Sequence, residues 1–280
     1  MSHLPVLPVE VLELLAPKAG EVFLDGTLGL GGHAGLILEK IRKTGKLIGL
    51  DLDSRNLELA QNNLQKFSNL ETHQANFRDL LKFTSPASLD GILLDLGVSS
   101  LHFDDASRGF SFQNLGKLDM RFDSTQPLDA AAILNSFPEN EIADIFYKFG
   151  EIRSSRKIAK QIVEFRRKQK FRQTEDLVNL IAHPKLLPQV FQALRIRVNS
   201  ELENLEQGLN SAVEALKSGG RIAVISFHSL EDRIVKNFFR EQKKLKILEI
   251  LTKKAVGPSA SELAENPRSR SAKLRGARKF

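Results

Sequence analysis

Three aspartates draw attention by where they fall. Asp25, Asp51 and Asp95 each close an apolar run: Val22-Phe23-Leu24, Lys46 to Leu50, and Gly91-Ile92-Leu93-Leu94. The first is followed by Gly26-Thr27-Leu28-Gly29-Leu30-Gly31-Gly32-His33, a glycine loop that opens a helix. An acid and a glycine loop between strand and helix form a nucleotide-cofactor site. The glycines let the backbone approach the ligand, and an acid at the tip of the next strand, about 20 residues on, accepts hydrogen bonds from ribose hydroxyls. Asp51 is better placed for that role than Asp53.

Charge discriminates between cofactors. A dinucleotide sets its pyrophosphate on the helix N-terminus, where N–H groups and the helix dipole favour an anion, and a carboxylate in the same loop repels it. Asp25 is such a carboxylate, and Gly26, Gly29, Gly31, Gly32 do not reproduce the spacing G-x-G-x-x-G. S-adenosyl-L-methionine fits better: it offers adenosine to the acid on the second strand, carries no phosphate, and presents an ammonium and a sulfonium to Asp25. A tight turn without ligand is the alternative.

The elements that must hold these residues can be read from apolar periodicity. Strands are expected at 22–25, 46–51, 70–75 and 90–95, with helices at 33–42 and 54–67, so the class is α/β with a doubly wound, mostly parallel sheet. Residues 101–127 read as loop and 128–190 as several amphipathic helices, an inserted helical domain. The alternation resumes with a helix at 199–217, the turn Ser218-Gly219-Gly220, a strand at 221–226, a helix at 230–242, and strands near 246–252 and 272–278. The expected division is a discontinuous domain of residues 1–105 and 196–280 around an insert of 106–195.

The chain has 280 residues, 41% hydrophobic and 27% charged, without cysteine. Disulfides, thiolate catalysis and cysteine-ligated zinc are excluded, and the six histidines show no metal-ligand spacing, so no metal is expected. No stretch approaches the ~20 apolar residues of a membrane span, and the N-terminus has no basic region before an apolar core, which implies a cytoplasmic protein. The net charge of +7 is concentrated. Residues 153–172 hold nine basic residues against Glu164, and residues 266–280 hold six with no acid. Such blocks suit a polyanion, nucleic acid first, or else a solvated helix face and a disordered tail.

Further candidates lie at the strand ends. Asp95 sits where doubly wound sheets bind ligands, facing cofactor and reacting atom or else bracing the turn. Phe77, just past the third strand, is placed to cover an adenine ring or to join the core. Phe165 and Phe171, among the first block's charges, suit base stacking or helix packing. His228 and Ser229 follow the fifth strand without a nucleophile elbow, which argues against a hydrolase.

The segments DGTLGLGGH (25–33), DGILLDLGVSS (90–100), RGFSF (108–112), LDMRFD (118–123), RIRVNSELENLE (195–206), ISFHSLEDRIVK (225–236) and NPRSRSAKLR (266–275) resemble the signature blocks of one family, the bacterial ribosomal RNA small subunit methyltransferase H family. The opening His3-Leu4-Pro5-Val6-Leu7 with Glu10-Val11-Leu12 is similar to that family's N-terminus. The resemblance implies a class I (Rossmann-like) methyltransferase with an inserted helical domain, S-adenosyl-L-methionine as donor, and N4-methylation of a cytidine in the decoding region of 16S ribosomal RNA. Carried over by position, the family's cofactor contacts are Gly31, Gly32, His33, Asp51, Phe77 and Asp95. A further contact, a glutamine in the family, falls on His102, which matches both functions of an amide only in a suitable tautomer.

A cytosine amine is a poor nucleophile, because its lone pair is delocalised, so positioning is the main catalytic contribution. Asp95 is the candidate proton acceptor. Where amino-methyltransferases place an Asn/Asp-Pro-Pro-aromatic tetrad, this chain has Asp95-Leu96-Gly97-Val98. The small ribosomal subunit is the implied partner, the insert with its basic block is the candidate RNA grip, and either a monomer or a homodimer is compatible. The competing classes are a DNA cytosine-N4 or other nucleic-acid amino-methyltransferase, a nicotinamide dehydrogenase, and a non-catalytic RNA-binding protein. Only the resemblance separates RNA from DNA.

Overall fold

The computed structural model describes residues 4–280, with the backbone alone at Ser100. His3, part of the N-terminal resemblance, lies outside the described residues. In chain order the elements are α1 (Pro8–Leu15), β1 (Val22–Asp25), α2 (Gly32–Ile41), β2 (Lys46–Asp51), α3 (Ser54–Asn63), β3 (Leu70–Gln74) and β4 (Leu89–Asp95). A helical stretch follows: α4 (Ser100–Asp104), α5 (Ala130–Ser136), α6 (Glu139–Gly150), α7 (Ser155–Lys168), α8 (Thr174–Leu180) and α9 (Leu187–Asn199). The chain closes with α10 (Glu201–Ala215), β5 (Leu216–Ser226), α11 (Ser229–Lys244), β6 (Leu248–Ile250), α12 (Ala260–Glu265) and β7 (Lys273–Lys279). No helix among the described residues is long and apolar enough to cross a membrane.

The chain divides into two compact units, Met1–Gly97 with Leu202–Phe280, and Val98–Glu201. The sequence placed the joints at 105/106 and 195/196. The first moves earlier because Val98 and Phe103 pack against the core of the helical unit. The second moves later because α9 runs unbroken to Asn199 before Ser200 turns the chain at φ 49°.

The first unit is a seven-stranded sheet of order β3-β2-β1-β4-β5-β7-β6. All strands are parallel but β7, which runs antiparallel to both neighbours. Alternate residues feed alternate faces, as the two-residue period of a strand requires. Phe23, Leu93, Ala223 and Ile225 join residues of α1, α2 and α3 in one core. Leu24, Ile92, Leu94, Ile222 and Val224 join α10 and α11 in the other. Both faces are covered, which is why the strands read as continuous apolar runs. The strand order reverses at β1, between β2 and β4, the switch point at which doubly wound sheets bind ligands.

Some boundaries differ from the sequence reading. The helix expected to reach residue 67 ends at Asn63, with Leu64 capping it and a further turn formed by Phe67 N–H to Leu64 O at 2.9 Å. The strand expected from residue 221 begins at Leu216; Gly219, at φ 81°, lets the chain absorb a register shift opposite Leu89 and Gly91. The stretch 101–127, expected as loop, opens with α4 and a short 3-10 turn, Ala106–Arg108, and has no helix or strand from 109 to 127. Polar braces hold it instead. Asn199 donates to Met120 O at 2.8 Å and accepts from Phe122 N–H at 2.8 Å, and Arg108 donates to the carbonyls of Arg121 and Phe122.

Candidate active site

The loop after β1 is fixed from both sides. Gly26 N–H donates to Leu93 O on β4 at 2.9 Å, and Leu28 N–H donates to Leu50 O on β2 at 2.8 Å. A Cβ at Gly26 would lie 2.5 Å from Leu94 Cδ2 and 2.8 Å from Phe77 Cβ, so only glycine fits between them. Gly31 has φ +85°, and a Cβ there would also lie 2.7 Å from Leu64 Cδ1. Gly32 then begins α2, with its first N–H groups at the sheet edge.

Asp25, Asp51 and Asp95 stand at the carboxyl ends of three adjacent parallel strands, β1, β2 and β4. Asp25 is 1% exposed, and its Oδ1 accepts from Thr27 N–H at 3.1 Å. Asp51 accepts from Gly29 N–H and from Asp53 N–H, each at 2.8 Å, and from Asn56 Nδ2 at 3.3 Å. It therefore ties the glycine loop to the start of α3. Asp53, the other acid of the pair, caps α3 through Arg55 N–H at 3.0 Å. Asp95 donates its main-chain N–H to Thr27 Oγ1 at 2.6 Å, and its buried Oδ1 has no hydrogen-bond partner among the described residues. His33 Nε2, in the first turn of α2, lies 3.7 Å from Asp95 Oδ2.

The electrostatics follow from this crowding. Burial, reinforced by the charge of Asp51, lifts Asp25 to about 7 against the hydrogen bonds from Thr27. Burial also lifts Asp95 to about 7, with Asp25 and Glu231 adding to the rise and the Gly97 N–H opposing it. Two carboxyls titrating near neutrality beside a third, with one buried oxygen unmatched, would be stabilised in their ionised forms by a cationic ligand. A pyrophosphate would be repelled there. The glycine cradle and this donor set fit S-adenosyl-L-methionine, whose sulfonium and ammonium are cations.

Phe77 opens a 3-10 turn, Phe77–Lys82, and its ring packs on Gly208 of α10, where a Cβ would lie 2.4 Å from Phe77 Cδ2. His102 belongs to the helical unit and is 4% exposed. Its ring stands 4.8 Å from that of Phe110 and 5.3 Å from that of Phe122, with Nδ1 3.2 Å from Ser99 Oγ. His228 caps α11 in a reciprocal box: its Nδ1 accepts from Glu231 N–H at 3.3 Å, and Glu231 Oε2 accepts from His228 N–H at 3.3 Å and also from Phe227 N–H at 2.8 Å. This box holds the turn after β5, where Phe227 fills the space a Cβ on Gly97 would need.

The two basic blocks separate. Along α7, Arg156, Lys157, Lys160, Arg167 and Lys168 are exposed, while Arg166 is tied to the carbonyls of Leu134 and Phe137. Phe171 is 1% exposed in the core of the helical unit and meets the partly buried Phe165 in a tilted ring contact at 4.6 Å; packing, not base stacking, occupies both. The C-terminal block runs into β7. Arg275 binds Asp232 at 2.7 Å, Lys273 lies 3.6 Å from the same carboxylate, Arg278 binds Glu249 at 2.6 Å, and Lys279 donates to the carbonyls of Val213 and Leu216, so four of its six cations are engaged within the sheet unit.

Thr27, Glu231 and Gly208 were missed from the sequence. Asp25-x-Thr27 is the spacing of a side chain bonding the backbone two residues on, and His228-x-x-Glu231 has the spacing of a capping box, so two of the three had a local signal.

The profile of the MraW methylase family matches residues 1–280. Relatives named ribosomal RNA small subunit methyltransferase H include one from Syntrophotalea carbinolica, 44% identical over 100% of this chain and 98% of its own length. Another, from Trichormus variabilis, is 48% identical over 99% of this chain and 92% of its own. Among solved structures, a proposed rRNA methylase from Clostridium thermocellum aligns at a TM-score of 0.50 with 10% identity, covering 100% of both chains. A proposed methyltransferase from Streptococcus mutans in complex with SAH aligns at 0.50 with 11% identity, covering 98% of both chains. The fold is that of the class I methyltransferases.

Proposed function

Because this chain belongs to the MraW methylase family, we propose that it is an S-adenosyl-L-methionine-dependent methyltransferase that modifies N4 of a cytidine in the decoding region of 16S ribosomal RNA. The observation that carries the reading is the set of three carboxylates, Asp25, Asp51 and Asp95, at adjacent strand ends around a glycine loop. The relatives' name supplies the ribosomal RNA.

In this reading Gly31, Gly32 and His33 line the cofactor, Asp51 accepts from its ribose hydroxyls and Phe77 walls the adenosine side. Asp25 and Asp95 face its positive charge. Bound there, S-adenosyl-L-methionine supplies an electrophilic methyl group. Asp95 Oδ1, buried and unmatched, accepts an N–H of the cytidine amine and takes the proton released as the N4–carbon bond forms. A proton acceptor with a pKa near the working pH is well suited to that transfer. The turn Leu96-Gly97, clamped by Phe227 and the His228–Glu231 box, holds Asp95 in place. His102 completes the family's contact set by position alone. The exposed cations of α7 hold phosphates, the protein works in the cytoplasm, and its macromolecular partner is the small subunit or its RNA.

Nucleoside mass spectrometry of 16S RNA from a strain lacking the gene tests this reading. N4-methylcytidine should be missing at one site and should return on complementation. A loss that appears in DNA nucleosides instead would favour the DNA alternative.

A further inference from the structure

A cavity of about 220 Å³ lies in the sheet unit between the outer part of α11 and the segment 252–255 that follows β6. Lys236 and Arg240 from α11, Lys253 and Lys254 from the segment, and Arg275 from β7 line it around Phe239, and no carboxylate is among its lining residues. Arg275 is engaged by Asp232, but Lys236, Arg240, Lys253 and Lys254 form no ion pair among the described residues. Four cations without an ion pair gather around one hollow, three of them exposed, so their mutual repulsion is screened but not offset by a carboxylate. An anion in the cavity would relieve that repulsion.

The segment that lines the cavity runs on toward the active-site edge of the sheet. Val256, the residue just after the segment, bridges Leu274, Leu274 is level with Ile225, and Ile225 is level with Asp95, so the chain leaving the cavity reaches the height of Asp95 three strand spacings away, about 14 Å. Thr252 Oγ1 accepts from Gly276 N–H at 3.0 Å, which leaves its own proton to donate.

We propose that this cavity binds a backbone phosphate of the RNA strand that delivers the cytidine to Asp95. The proposal rests on the function given above and adds to it a phosphate site in the methyltransferase unit itself, separate from the basic face of α7. It places the strand across the β5–β7 end of the sheet edge.

The test uses the full-length protein and two substituted pairs, Lys253→Gln/Lys254→Gln and Lys236→Gln/Arg240→Gln, compared with Lys40→Gln/Lys43→Gln. The control removes the same charge from exposed positions at and just after the end of α2, which packs on β1 and β2 away from the cavity. Binding of a decoding-region RNA oligonucleotide is measured against salt concentration, together with KM for RNA and affinity for S-adenosyl-L-methionine. Each pocket pair should weaken RNA binding by about tenfold and flatten the salt slope by about one unit per lost phosphate contact. The control pair should do neither, and cofactor affinity should hold in all three.

Equal weakening by the control would mean general charge attraction and would overturn the proposal, as would wild-type binding in both pocket pairs. If the pocket pairs alter binding of inorganic phosphate and not of RNA, the ligand is a free anion and the RNA assignment is overturned. If the wild-type protein neither binds nor methylates the RNA, the functional reading and the pocket assignment fall together. If it methylates and the pocket pairs behave as the control does, only the pocket assignment fails.

Discussion

The main-chain N–H of Asp95 donates to the hydroxyl of Thr27 at 2.6 Å. The end of β4 is thereby fixed to the loop that follows β1, and Thr27 N–H holds Asp25 Oδ1 at 3.1 Å within the same turn. One threonine thus ties together the two carboxyls that titrate near neutrality.

Replacement of Thr27 by Val keeps the shape and removes the acceptor. The partly buried N–H of Asp95 is left unmatched, at a cost of about 1–3 kcal/mol. Thr27→Val should show a lower Tm and a weaker affinity for S-adenosyl-L-methionine, while Thr27→Ser should retain most of both. Thermal denaturation and calorimetric titration check this; a Val variant equal to wild type in both would show that the bond positions nothing.

Cofactor affinity should depend on pH with a definite sign. Asp25 and Asp95 attract a cation only when ionised, and both titrate at about 7. Affinity should therefore rise with pH up to about 7 and level off above it, by roughly tenfold per pH unit for each group that must lose its proton. Asp95→Asn should flatten the profile, because Asp25 alone remains to titrate, and should lower turnover at saturating cofactor. Calorimetry from pH 5.5 to 8.5 gives both curves. A wild-type affinity independent of pH would refute the assignment of these carboxyls to a cationic ligand.

In the helical unit the sign reverses. Although burial works against its ionisation, Asp119 is held at about 2 by hydrogen bonds from Arg121 and Lys117. A carboxyl depressed below its ordinary value of 3.8 contributes stability above that value and loses it as pH falls through about 2. Asp119→Asn should cost about 2 kcal/mol at pH 7 and progressively less between pH 4 and pH 2. Urea unfolding followed at several pH values checks it, and a cost that persists unchanged at pH 2 would place the effect in packing and not in charge.

Much of the site's frame was legible because its signals are local. The apolar runs ending at Asp25, Asp51 and Asp95 set the strand ends, and parallel pairing of strands so tipped brings those ends to one edge. The contacts that hold them are not local. Phe77 was placed correctly just past β3, yet its packing on Gly208 joins residues 131 positions apart and leaves no trace in either neighbourhood. The basic tail read as a polyanion footprint, but charge counting along a chain cannot see that Asp232 and Glu249 lie opposite Arg275 and Arg278 once β7 enters the sheet. Phe165 and Phe171 sit among charges in sequence and pack at a core in space: the period of α7 turns Phe165 toward that core, and Phe171, beyond the helix, is held there by its N–H to Asn135 Oδ1.

The most direct test of the whole account is transfer of a labelled methyl group from S-adenosyl-L-methionine to small subunits, or their RNA, from a strain lacking the gene. Wild-type and Asp95→Asn proteins are compared, and the product nucleosides are identified. Label is expected in N4-methylcytidine, or its 2′-O-methylated form, with the wild-type protein, and a large loss of label is expected with Asp95→Asn at saturating cofactor. Label in another nucleoside, or full transfer by the Asn variant, would contradict the functional reading.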